Sequence, residues 1–150
     1  MKARLIGLLK ALAVGIASLL ATACEHDLDV ASQIARQHEL QLTYNPDREP
    51  VPPGLPTVIL KPGDEAWENL LIWFIDNGQY WKNSDADTVS QHQAIAIQGD
   101  VDLYIDIHDT HLYVGFNNEK GYFRQYWRSC RVEEFRFLLD LDERTRQASD

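Results

Sequence analysis

The residues best equipped for chemistry crowd between positions 100 and 111. Asp100, Asp102, Asp106 and Asp109 are interleaved with His108 and His111. Alternate residues of an extended chain project from one face, so Asp102, Asp106 and His108 would converge on a strand. Carboxylates beside an imidazole suit a bound cation, or a carboxylate acting as general base. Nothing in the spacing fixes either geometry, for no HxxxH, HExxH or EF-hand pattern is present. The reading is therefore the solvated face of a strand: we expect no catalytic residue, no metal and no cofactor.

Aromatic residues run through the same region: Tyr104, Tyr113, Tyr122, Tyr126 and Trp127. Tyrosine and tryptophan bury much area at small entropic cost and are enriched in protein interfaces. Interleaved with carboxylates, they favour a basic protein partner. Asp102, Tyr104, Asp106, His108, Tyr113 and Tyr126 are the expected contact residues. The basic run Arg124, Arg128, Arg131 and Arg136 is read as pairing with the acidic stripe across neighbouring strands.

Charge narrows the partner further. The 150 residues hold 23 Asp and Glu against 14 Lys and Arg, a formal net charge of -9. Such a chain repels a phosphate backbone, which excludes nucleic acid. Hydrophobic content of 45% and charged content of 25% are those of a folded domain rather than a disordered one. Two cysteines cannot staple a disulfide scaffold.

An export signal precedes these elements. Lys2, Arg4 and Lys10 are the only charges before Cys24, and an apolar stretch runs from Ala11 to Leu20, followed by Ala21-Thr22-Ala23. A basic start, a short apolar core and small residues make a secretory signal peptide, too short to be a comfortable membrane span. Leu20-Ala21-Thr22-Ala23-Cys24 resembles the lipobox of bacterial lipoproteins. That resemblance implies that Cys24 becomes the new N-terminus and carries lipid, palmitate included; ordinary cleavage after Ala23 is the alternative. Several acyl chains on Cys24 would anchor the protein firmly, at about 0.8 kcal/mol per buried methylene. Glu25 and His26 follow where an inner-membrane lipoprotein typically has Asp, so the outer membrane is favoured, with the domain facing the periplasm. Cys130 is then a buried thiol packing as a small hydrophobe, or, without lipidation, a disulfide partner of Cys24.

The fold class read from the pattern is α+β: an antiparallel β-meander packed against one amphipathic helix, with a short C-terminal helix. Residues 1–23 form the signal peptide, 24–56 a tether and proline-rich strap, 57–142 the domain, and 143–150 a frayed tail. Asp29 caps a short helix from about 30 to 38. Five of six prolines fall between Asn45 and Pro56, where they keep the chain extended. Asp64 offers an N-cap, and Trp67, Leu70, Leu71 and Phe74 recur with helical spacing; Ile72, Trp73 and Ile75 widen the stripe, predicting burial on more than one side. Asn77 or Gly78 suits a left-handed cap. From residue 93 the period becomes two, and Val101, Leu103, Ile105 and Ile107 alternate with polar residues. Leu112 to Phe116 and Tyr122 to Arg128 supply two more strands. Val132 to Leu141 closes the domain and is read as a short helix, with Phe135, Leu138 and Leu139 on one face, although Phe135, Phe137 and Leu139 also fit a strand.

The block from Trp67 to Leu139 also resembles a group of small Gram-negative lipoproteins that act as immunity proteins for secreted antibacterial effectors. The shared features are Leu71-Ile-Trp-Phe-Ile-Asp-Asn77, then Gln79-Tyr-Trp81, a polar stretch, alternating strands and the terminal Val132-Glu-Glu-Phe135-Arg-Phe-Leu138. The resemblance implies a periplasmic inhibitor that masks an effector protein, an enzyme degrading cell wall or membrane, and it carries no catalytic residues. The alternatives are a structural envelope lipoprotein without enzymatic activity and a cation-binding envelope protein.

Overall fold

The computed structural model describes residues 25–45, 57–84, 93–117 and 120–147. Eight strands form one antiparallel sheet: β1 (Glu25–His26), β2 (Leu40–Tyr44), β3 (Thr57–Leu60), β4 (Trp81–Asn83), β5 (Ile95–Gly99), β6 (Leu103–Ile107), β7 (His111–Asn117) and β8 (Phe123–Ser129). Their spatial order is β1-β4-β8-β7-β6-β5-β2-β3. The helices are α1 (Val30–Ala35), α2 (Glu65–Asp76) and α3 (Arg136–Gln147), the last entered through a single 3-10 turn, Val132–Phe135. The α+β class and the short C-terminal helix stand as read from the pattern.

The meander is there, with one more strand than the alternation suggested. The run beginning at residue 93 is two strands, because the chain reverses between Gly99 and Leu103. Asp102 sits in the turn at φ 43, and Val101, taken as part of the buried face, is 51% exposed. The turn was invisible to periodicity for a simple reason. Leu103 lies six positions after Ile97, an even offset, so the inward parity continues across the reversal.

The described part of the expected tether belongs to the domain. Strand β2 pairs with both β3 and β5, and Leu40 and Leu42 are fully buried. Helix α1 begins where expected: the Asp29 carboxylate accepts the Ser32 backbone N–H at 3.0 Å. Strand β1 pairs with β4 at one sheet edge. The proline-rich strap from Pro46 to Pro56 and the signal segment with Cys24 lie outside the described residues. At the other end, α3 runs on to Gln147 rather than fraying after Asp142.

One layer of helix covers one sheet face. Ile34 of α1, Trp67, Leu70 and Phe74 of α2, and Phe135 and Leu138 meet Leu40, Leu42, Ile95, Ile97, Leu103, Ile105, Ile107, Leu112 and Val114 in a single core. Helix α2 buries one stripe only. Ile72 and Ile75 are 55% and 67% exposed, because the helix has the sheet on one side and, among the described residues, no second layer on the other. The residue at the left-handed position after α2 is Tyr80 (φ 66), not Asn77 or Gly78. Asn77 caps differently, its side-chain amide donating to the Trp73 carbonyl at 2.8 Å. Asp64 holds the N-cap position with extended backbone, but its carboxylate turns back to accept the Lys61 N–H at 2.7 Å.

Arg128 locks α2 to the sheet. Its guanidinium lies over the rings of Trp73 and Trp81, at 5.5 and 5.6 Å, and donates to the carbonyl of Asn77. A cation at the C-terminal carbonyls of α2 complements the helix dipole, and the two ring faces add cation–π attraction. Two members of the basic run are placed otherwise than expected: Arg128 faces the core, and Arg136 pairs with Asp140 on its own helix at 2.9 Å.

Candidate functional site

The other sheet face carries the side chains of opposite parity. Register places them in rows. One row reads Lys82, Trp127, Tyr113, Asp106, Ala96, Thr43, from β4 to β2. The next reads Gln125, Gly115, Tyr104, Gln98, Gln41. Tyr104 and Phe123 are 46% and 50% exposed, so this face is open where the core face is closed.

A pocket of about 340 Å³ opens between β5, β6 and β8, lined by Gln93, Ala96, Gln98, Tyr104, Asp106, Phe123 and Gln125. Three local facts shape it. Ala96 beside Asp106 leaves room over the sheet. Gly115 lets the tip of the Phe123 ring reach over β7, since a Cβ there would run into that ring. Phe123 in turn meets Tyr104 edge to face, with centroids 6.2 Å apart. Two exposed aromatic rings thus stand as one wall of the pocket.

Asp106 is its charged group. Burial pushes this carboxyl up to about 6. It makes no hydrogen bond or ion pair among the described residues. Lys82, the cation of its own row, is held over the Trp127 ring at 5.1 Å. It lies three strands away from Asp106, about 14 Å at ordinary strand spacing. Gln93 is 7% exposed, and its side-chain oxygen has no hydrogen-bond donor among the described residues. A buried amide oxygen without a donor costs about 1–3 kcal/mol, and native interiors rarely leave one so.

Of the six expected contact residues, the structure brings four together. Tyr104, Asp106 and Tyr113 share the open face, and the His108 ring packs edge-on against Tyr113 at 5.3 Å. Asp102 does not join them; it sits in the β5–β6 turn. Tyr126 is on the core-facing side, stacked on Phe116 at 5.7 Å and edge-on to His26 at 5.8 Å. The acidic stripe is therefore not a cluster. Asp100 binds the backbone N–H and ring of His38, at 2.9 and 2.8 Å, and those bonds hold its carboxyl below the usual range. Asp109 is at the far end of β6, in the next turn. Among the described residues no three His, Cys, Asp or Glu side chains come close enough to share a metal ion.

Gln93, Ala96, Gln98, Phe123 and Gln125 were missed. Phe123 and Gln125 have the parity of Trp127, which the period-two pattern contains. The glutamines carry no compositional signal, because an amide matters only where burial removes its water. Cys130 is a free, buried thiol, pushed up to about 12 chiefly by that burial.

No protein-family model, curated protein or solved structure matches the chain.

Proposed function

We propose that this chain is a lipid-anchored protein on the periplasmic side of the cell envelope, in the outer membrane, that works by binding. Its partner is a secreted antibacterial effector, an enzyme that degrades cell wall or membrane, which it neutralises as an immunity-type protein. The single observation that carries the binding role is the open pocket around Asp106, a carboxylate with no partner among the described residues, beside two exposed aromatic rings. A half-buried charge and exposed rings cost stability in the free protein and are retained where a partner covers them.

The remaining parts of the reading rest on the sequence. The lipobox-like Leu20 to Cys24 supports the anchor, and the resemblance of the Trp67–Leu139 block supports the immunity role. Glu25, the residue after Cys24, is already in edge strand β1. An acylated Cys24 would hold the domain close to the bilayer, where an effector attacking the envelope arrives.

The test is co-purification of the full chain, tagged at its C-terminus and expressed in a Gram-negative envelope, with the product of the adjoining effector gene. A stoichiometric complex, lost when Tyr104 and Phe123 are both changed to Ala, is the expected result. No complex, together with no protection of cells expressing the effector in the periplasm, overturns the proposal.

A further inference from the structure

We infer that the pocket takes a single basic side chain, lysine or arginine, from the partner protein, its cationic head on the Asp106 carboxylate and its stem against Tyr104 and Phe123. This rests on the binding role proposed above and specifies its chemistry.

Four features point to the same occupant. The pocket's charged acceptor lacks a donor: Asp106 makes no hydrogen bond or ion pair among the described residues, and burial alone accounts for its raised pKa. A ligand that satisfies it must be a donor, and a cation satisfies a carboxylate best. The walls are apolar next to the acceptors, with Ala96 below and the Phe123 and Tyr104 rings beside it. Methylene stems bury well against such walls, and ring faces attract an ammonium or guanidinium. At about 340 Å³ the pocket is at the small end for a ligand site, suiting one long side chain. Finally, the chain's net charge of -9 attracts a basic surface before contact is made.

Among the described residues, no lysine or arginine faces Asp106. From β6 the facing groups are Tyr104 on one side and the His108 imidazole on the other; from β7, Tyr113; from β5 and β8, Ala96, Gln98 and Gln125. The nearest basic side chain of the row, Lys82, is committed to Trp127.

The experiment uses the full chain in detergent micelles, labelled with nitrogen-15 and titrated with N-acetyl-lysine methylamide, N-acetyl-arginine methylamide and the neutral N-acetyl-norleucine methylamide. The basic probes should shift the amides of Ala96, Gln98, Asp106 and Gln125 and the side-chain amide of Gln93, with Kd on the order of a millimolar. Asp106→Asn should weaken them about tenfold, as loss of a charge-assisted hydrogen bond does. Because Asp106→Asn removes an unpaired charge, its fold is expected to persist; Tyr104→Ala, at a half-exposed position, gives an independent reading and should weaken both basic probes. Equal shifts with norleucine, no shifts with the basic probes at about 50 mM (far above a millimolar Kd), or an unchanged Kd in Asp106→Asn would each overturn the inference. Failure here with an intact effector complex removes the basic side chain and leaves the proposed function standing. Binding of the basic probes without any effector complex does the reverse.

Discussion

Gln37 and Val101 are bound to each other as if they were strand neighbours. The Gln37 side-chain oxygen accepts the Val101 N–H at 2.7 Å, and its amide nitrogen donates to the Val101 carbonyl at 3.0 Å. The same nitrogen donates to the Gln33 carbonyl at 2.9 Å. One side chain, 3% exposed, thus ties the segment after α1 to the turn between β5 and β6 across 64 positions of sequence. Gly99 makes room for it, since a Cβ there would run into the Gln37 amide. That turn opens β6, the strand that carries Tyr104 and Asp106.

Gln37→Leu leaves both backbone groups of Val101 without their partner and should cost about 2–3 kcal/mol, with water reaching part of the exposed turn. Gln37→Glu keeps the acceptor for the Val101 N–H but sets a carboxylate oxygen against the Val101 and Gln33 carbonyls, so it should destabilise at least as much at neutral pH and by less in acid, where a protonated carboxyl can donate. Urea denaturation of both variants checks this. A Gln37→Leu protein as stable as the parent would show that water replaces the amide without cost.

Asp106 gives the protein a pH-dependent weakness. Its folded pKa of about 6 lies above the ordinary 3.8, so between these values the folded state binds more protons than the unfolded state. Stability should therefore fall as pH rises through 3.8 to about 6 and remain lowered above that window. Asp106→Asn should abolish this component and stabilise the protein at pH 7 by about 1–2 kcal/mol, discounted for partial exposure. At the acid end of the window the variant should gain little. Denaturation midpoints across that pH range decide it, and a variant less stable than the parent at neutral pH would mean that the carboxylate has a partner of its own.

Gly115→Ala separates folding from binding. Alanine suits a strand better than glycine, while its methyl group displaces the Phe123 ring. Because Phe123 is half exposed, the ring can swing outward, so the stability change should stay within about 1 kcal/mol. The pocket loses its wall, and capture of the effector should drop with it. Thermal unfolding and the complex assay, run on one preparation, compare the two effects. An unchanged complex would place the contact elsewhere on the sheet.

The Cys130 thiol should be inert in the folded protein. Burial is the main cause of its raised pKa of about 12, and the Glu134 charge adds to it. Against an ordinary 9.0, that leaves about 10³-fold less thiolate at neutral pH. Mass mapping after brief iodoacetamide treatment should find Cys130 alkylated only when urea is present. Rapid native modification would show that the strand end around it opens.

The sequence by itself determined the local elements and the inward parity. Helix α1 with its Asp29 cap, the buried stripe of α2, and strands β6, β7 and β8 follow from periods of 3.6 and 2 and from capping chemistry, which act over a few residues. It also placed Tyr104, Asp106 and Tyr113 together, since spacing and parity are enough for residues on one hairpin. Only the tertiary structure decided the rest. Asp102 left the group because a turn broke a run whose parity was unchanged. Tyr126 left it because β8 pairs with β7 in the register that turns Gln125 and Phe123, not Tyr126, to the open face. Residues 25–45 joined the sheet because β2 found partners in β3 and β5, a long-range pairing that no local pattern encodes. The pocket depends on the same kind of distant fact: Gly115 opposite Gln125, Tyr104 opposite Gly115, and a Phe123 ring laid over the gap. Side-chain burial is set by what packs against a residue from elsewhere in the chain, and that is why Gln93 and Asp106 acquire their chemistry only once the sheet is assembled.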